Sequence, residues 1–206
     1  MSTISIIGSG GMAAAIGGRS AKAGHTVEVI SRDPAKARAL ADQLAAGALT
    51  GTYGAAPAGD IVILAVPYTR AAAVVADHGD ALDGKVIIDV TNPVAPDLKG
   101  LVTPHGSSGA QEIARTAPAG AHIVKAFNAI FGHVLARGGR LDAFIAADDA
   151  QAKARVSTFI ESLGLRPFDV GGLHMAQTLE ALGLMMIGLA NNGARTWDIA
   201  LNVDIG

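Results

Sequence analysis

The stretch Ile6-Ile7-Gly8-Ser9-Gly10-Gly11-Met12-Ala13 decides the fold. The apolar run that leads into it reads as a buried strand, and the alanine-rich segment that follows reads as a helix. Each small residue between them has its own mechanical use. Gly8 permits a tight strand-to-helix turn, Gly10 lets the backbone come close to a ligand, and Ala13 lets the helix sit close to the sheet. The spacing is G-x-G-x-x-A, the alanine variant of the dinucleotide fingerprint. The backbone N–H groups of Ser9, Gly10, Gly11 and Met12 would then point at an anion, aided by the helix dipole. Glycine-rich turns are common, but this one follows an apolar strand, opens a helix and begins a β-α-β unit. That context points to a pyrophosphate.

Outward from this loop, short β-branched runs alternate with alanine-rich helical stretches. Strands are expected at 3–7, 26–30, 61–66, 85–90, 122–127, 141–146 and 165–170. They are apolar almost throughout, as parallel strands covered on both faces should be. Helices are expected at 12–23, 34–45, 70–76, 107–117 and 149–163, with Ser107-Ser108-Gly109 as a helix start. After Val170 the alternation stops and a helix-like segment, 173–190, closes the chain. The pattern predicts a Rossmann-type, doubly wound α/β fold with a mainly parallel sheet. It divides into a nucleotide-binding domain, 1–170, and a short C-terminal helical segment, 171–206.

Composition narrows the function classes. The 206 residues allow one domain with an appendage. With 50% hydrophobic and 17% charged residues, the chain has enough apolar side chain to offset the entropy of folding, which excludes disorder. A net charge of −2 and the lack of any basic block argue against nucleic acid as a partner. The absence of cysteine excludes disulfides, thiolate zinc sites and a cysteine nucleophile. No two of the six histidines have metal-ligand spacing, so no metal is expected. Aromatic content of 4% argues against base-stacking platforms. The longest apolar stretch, 179–190, contains Glu180 and is shorter than a bilayer span requires. No secretory pattern opens the chain, so no membrane contact and a cytoplasmic location are expected.

The end of the second strand selects the cofactor, about 20 residues past the glycines. It reads Ser31-Arg32-Asp33-Pro34-Ala35-Lys36. Ser31 offers a hydroxyl and Arg32 a guanidinium fork that suits a phosphate. The helix start between them could bring the Lys36 ammonium to the same group. Asp33 is the rival, since an acid here would bind a ribose hydroxyl and favour NAD. Asp at N-cap before Pro at the first helical position is a sufficient local explanation for it. NADP is favoured over NAD.

Other candidates lie at the carboxyl ends of later strands, the edge where doubly wound folds bind ligands. Ala65-Val66-Pro67-Tyr68 opens one loop, so Tyr68 could line the cofactor site or simply sit beside a strand terminator. Thr91 and Asn92 could bond ribose or carboxamide, yet Asn92-Pro93 is also ordinary turn chemistry. Asn128 carries donors and an acceptor that suit a carboxamide or a pyrimidine-like ring. Lys125 reads as an outward or paired lysine rather than a catalytic one. His133 and His174 flank the acceptor region in sequence, but surface or capping roles account for both. Gly183, Met185, Met186 and Gly188 in the closing helix could line a flat ring, cross a dimer interface or pack in the core.

Taken together, Gly8-Ser9-Gly10-Gly11-Met12, Ser31-Arg32, Lys125-Ala126-Phe127-Asn128 and Gly164-Leu165-Arg166-Pro167 resemble the NADP-dependent oxidoreductases typified by coenzyme F420 (8-hydroxy-5-deazaflavin):NADPH oxidoreductase. The resemblance covers nearly the whole chain. The family is related to the N-terminal domains of pyrroline-5-carboxylate reductases and to the cytosolic domains of membrane metalloreductases. It implies that Gly8, Ser9, Gly10, Gly11, Met12 and Ala13 hold pyrophosphate and that Ser31, Arg32 and Lys36 hold the 2′-phosphate. It also implies that Val66, Pro67 and Tyr68 flank the cofactor, while Ala126, Phe127 and Asn128 lie near the nicotinamide. Two places depart from the family pattern. Phe127-Asn128-Ala129 stands where the family has a Leu-His-Thr-like run, and Gln177 stands where it has an arginine. Both fall where the acceptor would sit.

The sequence therefore predicts an NADPH-dependent oxidoreductase. It would pass a hydride between NADP(H) and a flat redox cofactor, a deazaflavin (coenzyme F420) first and a flavin second. Asn92 and Pro93 join the cofactor-binding residues, and no side chain is assigned a catalytic role. A homodimer and a small-molecule redox acceptor are the expected partners. The alternative is a non-catalytic NADPH-binding sensor, whose glycine loop would look the same. An imine or carbonyl reductase would need a larger helical domain than the tail after Gly172 supplies, unless a dimer provides the rest.

Overall fold

The computed structural model describes residues 2–44 and 47–204. In chain order the first half consists of β1 (Thr3–Ile7), α1 (Gly11–Lys22), β2 (Thr26–Ile30), α2 (Pro34–Leu44), β3 (Leu49–Gly51), β4 (Ile61–Leu64) and α3 (Tyr68–His78). Then follow β5 (Val86–Asp89), α4 (Gly109–Thr116), β6 (His122–Lys125), α5 (Gly132–Arg137), β7 (Asp142–Ile145), α6 (Ala150–Ser162), β8 (Arg166–Asp169) and α7 (Ala176–Gly188). Strands β1 to β6 form one parallel sheet in the order β3-β2-β1-β4-β5-β6. Chain progress reverses between β1 and β4, which opens a crevice at their carboxyl ends.

Each expected strand and helix forms, mostly trimmed by a residue or two; position 45 of the second expected helix lies outside the described residues. Two elements were not expected. Strand β3 is a three-residue edge strand whose Leu49 is exposed, so it carries no apolar pattern. Helix α5 is a six-residue element whose Gly132 packs on the backbone of Gly11 and Met12. Strands β7 and β8 make a separate parallel pair, joined to β6 by an antiparallel bridge between Lys125 and Ala146.

The local signals act as the sequence suggested. Asp33 accepts from the N–H of Ala35 at 3.0 Å, and Ser108 caps α4 by accepting from Gln111 at 3.1 Å. Ile4, Ile6, Val27, Val29, Ile63 and Ile88 fill one face of the sheet under α1, α2 and α6. Ile7, Ile30, Val62, Leu64 and Ile87 fill the other under α3 and α4. On β1 and β2 a buried polar pair interrupts this: Ser5 Oγ donates to Glu28, which also accepts from the N–H of Ala58 at 2.9 Å.

The closing helix corrects an expectation. A 3₁₀ turn (Leu173–Met175), α7 and a π turn (Leu189–Gly193) run together as 21 residues, with an 18-residue window of mean hydropathy 1.3. By length and composition that is enough to cross a bilayer, unlike the shorter span read from the sequence. The helix nevertheless rests on the sheet domain through Ala176, Leu179, Gly183 and Met186, and it carries the fully buried Glu180.

Candidate functional site

The glycine loop turns out of β1 against the end of β4. Gly8 has φ +133°, and a Cβ there would lie 2.1 Å from the carbonyl oxygen of Ala65. No L-side chain fits, so the close approach of loop to strand requires glycine. Beyond it, positions 10 and 11 have nothing within 4 Å of where a Cβ would stand. The backbone there is uncovered on the side a Cβ would take, at the start of α1, whose first N–H groups have no intrahelical acceptor.

That space is a cavity of about 350 Å³ lined by Gly8, Ser9, Gly10, Ser31, Arg32, Lys36, Val66, Pro67, Tyr53 and Arg70, among others. Among the described residues lining it, the one carboxylate is Asp33, which is occupied in capping α2 and lies 4.0 Å from Lys36. Three cations, a helix N-terminus and a floor without side chains suit a ligand with several phosphates. A second cavity of about 290 Å³ continues past Ser31, Arg32 and Arg38 toward β3. The residues thus fit NADP(H), with Arg32 and Lys36 placed for a 2′-phosphate.

Tyr53 and Arg70 were missed by sequence reasoning. Tyr53 follows the unrecognised β3. Its hydroxyl donates to Asp77 at 2.7 Å, and its ring meets His78 edge-on at 4.8 Å. Burial, then the Asp77 hydrogen bond, push its phenol up to about 12, so it stays neutral. Arg70 was read only as a helix residue; the capping geometry of α3 after Pro67 brings it to the cavity wall.

A third cavity, about 250 Å³, lies at the carboxyl ends of β5 and β6. It is lined by Met12, Val90, Asn92, Asn128, Gly183, Met186 and Trp197, together with 129–132 and Ile187. Phe127, fully buried, takes φ +62°, a left-handed conformation rare for an aromatic residue, and so turns the chain sharply after β6. That turn presents Asn128. Its amide donates to Asn92 Oδ1 at 2.9 Å and to the carbonyl of Leu179 at 2.6 Å, while Asn92 donates to the carbonyl of Asn128 at 2.7 Å. Asn128 Oδ1 and one N–H of Asn92 remain for a ligand. Among the described residues, no titratable side chain lines this cavity.

The structure therefore brings Gly8, Ser9, Gly10, Ser31, Arg32, Lys36, Val66 and Pro67 onto one cavity, and Met12, Asn92 and Asn128 onto another. Gly11 begins α1 between the two, and Ala13, Pro93, Ala126 and Phe127 are buried behind the walls. Tyr68 lines neither. Its ring packs over Gly109 and its hydroxyl donates to Glu112 at 2.6 Å; burial, then Glu112, push its phenol up to about 12. His174 is exposed beside Gly172, and His133 contacts the C-terminal tail.

Behind the Asn92–Asn128 pair sits a buried ionic cluster. The Lys125 ammonium lies 2.7 Å from Asp89, 2.9 Å from Glu180 and 2.6 Å from the carbonyl of Thr91. All three charged side chains are 0% exposed. Glu180 also accepts from the N–H groups of Gly109 and Ala110, fastening α7 to the start of α4. Burial pushes its carboxyl above the ordinary range, against the pull of Lys125. Lys125 is thus paired, as read from the sequence, but the acid from α7 had no sequence signal beyond being a lone charge in an apolar run.

Comparison with known proteins now has a geometry to attach to. Residues 3–93 match the family described as NADP oxidoreductase, coenzyme F420-dependent. The F420-dependent NADP reductase of Methanothermobacter marburgensis is 31% identical over 189 residues, covering 83% of this chain and 84% of that one. This chain belongs to that family. It is an NADP-dependent oxidoreductase. The rat metalloreductase STEAP3 is 30% identical over 187 residues, covering 89% of this chain but only 37% of the longer protein. A crystal structure from Arthrobacter sp. FB24, assigned as an F420-dependent NADP reductase, superposes with a TM-score of 0.87 at 25% identity, covering 100% of both chains.

Proposed function

We propose that this oxidoreductase exchanges a hydride between NADP(H) and a flat redox ring, a deazaflavin of the coenzyme F420 type first and a free flavin second. The observation that carries the reading is the cavity at Asn92 and Asn128, which adjoins the glycine loop through Met12 and contains no acid or base. Hydride transfer to a ring is chemistry that such a site can support. NADPH, when bound, supplies two electrons and one proton to the ring, and the ring's second proton comes from solvent. The protein's part is to hold the phosphates with Ser31, Arg32, Lys36 and the α1 N-terminus, and to exclude water with Val90, Met186 and Ile187. The names of the Methanothermobacter and Arthrobacter relatives support the deazaflavin.

The reading includes a division near residue 170, a cytoplasmic location and a homodimer. Support for the dimer is the outer face of α7 and its π turn, where Met185 and Leu189 are 53% and 45% exposed. A labelling experiment tests the transfer itself. With NADPH deuterated at C4 and coenzyme F420 as acceptor, direct transfer leaves deuterium on ring carbon C5, where it does not wash out. Deuterium recovered in water instead would contradict direct transfer.

A further inference from the structure

Residues 194–204 form no helix or strand, yet they are fastened at two points. At the first, His133 Nε2 lies 3.0 Å from the carbonyl of Trp197 and 3.1 Å from Asp198, whose other oxygen is 3.2 Å from Arg137. At the second, the backbone of Val203 donates to Asp142 and accepts from Arg166. The tail therefore runs back across the molecule from the end of α7 to the β7–β8 pair. Between helix and first anchor, Arg195 takes φ +51°, which reverses the chain. The reversal sets the indole of Trp197 against Phe131, with ring centres 5.0 Å apart at 60°, and Phe131 in turn stacks on His133 at 6.1 Å.

Trp197 remains 44% exposed and lines the cavity with Met12, Asn92, Asn128 and Gly183. The tail is thus fastened on both sides of a half-exposed indole that lines this cavity. We propose that Trp197 is the stacking wall of the acceptor site. The strap presents the indole face to a flat aromatic acceptor, while Asn92 and Asn128 meet the polar edge of the same ring. An indole offers a large, stiff aromatic face at little entropic cost, and offset stacking on it selects flat acceptors over saturated ones. This rests on the flat-ring reading of the function and deepens it. Trp197 is then a specificity-determining residue carried on the tail rather than on the nucleotide fold.

Trp197 is the chain's single tryptophan, so its emission reports this position alone. FMN and, separately, coenzyme F420 are titrated into protein saturated with NADP⁺, and turnover is measured in parallel. The proposal expects saturable quenching by at least one acceptor. In Trp197→Ala it expects the acceptor KM to rise about tenfold, the scale of one aromatic stacking contact. The NADPH Kd, measured by calorimetry, stays within about twofold, and Trp197→Phe recovers most of the loss. An acceptor that turns over without quenching overturns the stacking wall and leaves the hydride reading standing. Quenching without turnover supports the wall and counts against that reading. The absence of both quenching and turnover overturns the wall, as does an alanine variant that weakens NADPH and acceptor equally.

Discussion

A few side chains account for most of what the site selects. Arg32 and Lys36 face the cavity beyond the glycine loop, and the one carboxylate there is tied up as a helix cap. If Arg32 holds the 2′-phosphate, Arg32→Ala should cost about 1.5–3 kcal/mol of NADPH affinity, as a hydrogen bond to a charged group does. NADH affinity should stay as it was; calorimetry with both cofactors checks this, and equal weakening would remove the assignment. Lys125 is the other residue with a large expected effect. It is the cation that Asp89 and Glu180 share in a fully buried setting. Lys125→Met should cost about 3–5 kcal/mol in urea unfolding, because two carboxylates lose their only cation. Gly8, Arg32 and Asp33 could be assigned from sequence because their jobs are local. Glu180 could not, since its partners on α4 and β6 lie 55 or more residues away.

Among the elements, the strands of the parallel sheet were easy to read because burial on both faces leaves near-continuous apolar runs. Strand β3 has no such run: it is a short edge strand with an exposed leucine, and Tyr53, which follows it, was lost with it. Helix α5 is too short for a periodic pattern and is fixed by contact with α1. The tail after α7 has no pattern at all, because it is positioned by side chains of α5, β7 and β8. Its anchor makes a pH prediction. Arg166 grips Asp142 with two bonds of 2.7 Å and holds its carboxyl below the usual range. An acid whose folded pKa is lowered stabilises the fold above its unfolded value near 4, and that contribution is lost as pH falls through the folded value. Thermal unfolding from pH 6 down to pH 2 should therefore show a steeper acid-side loss in the wild type than in Asp142→Asn. Parallel curves for the two would contradict the anchor.

For the whole molecule, the reversal of strand order between β1 and β4 sets where a ligand can bind, and the phosphate cavity opens there. A larger cavity, about 690 Å³, lies at the opposite edge, between the strand starts and α6, away from the glycine loop. Binding at the carboxyl edge should couple to the entire fold. NADPH at a hundred times its Kd should raise the unfolding free energy by about 2.7 kcal/mol, a gain that Arg32→Ala shifts to higher NADPH concentration. The dimer belongs to this scale too: sedimentation should give twice the chain mass of 20.7 kDa, and Met185→Glu on the open face of α7 should shift it toward the monomer. Oxidation of NADPH by a flat ring can be followed directly. Purified protein is mixed with NADPH and coenzyme F420, FMN, FAD or no acceptor, with NADH in parallel, and the loss of dihydronicotinamide absorbance is followed. The account predicts rapid oxidation with the deazaflavin, less with the flavins, none without acceptor, and little from NADH. Tight NADPH binding with no oxidation in any mixture would contradict it and favour a cofactor-binding sensor.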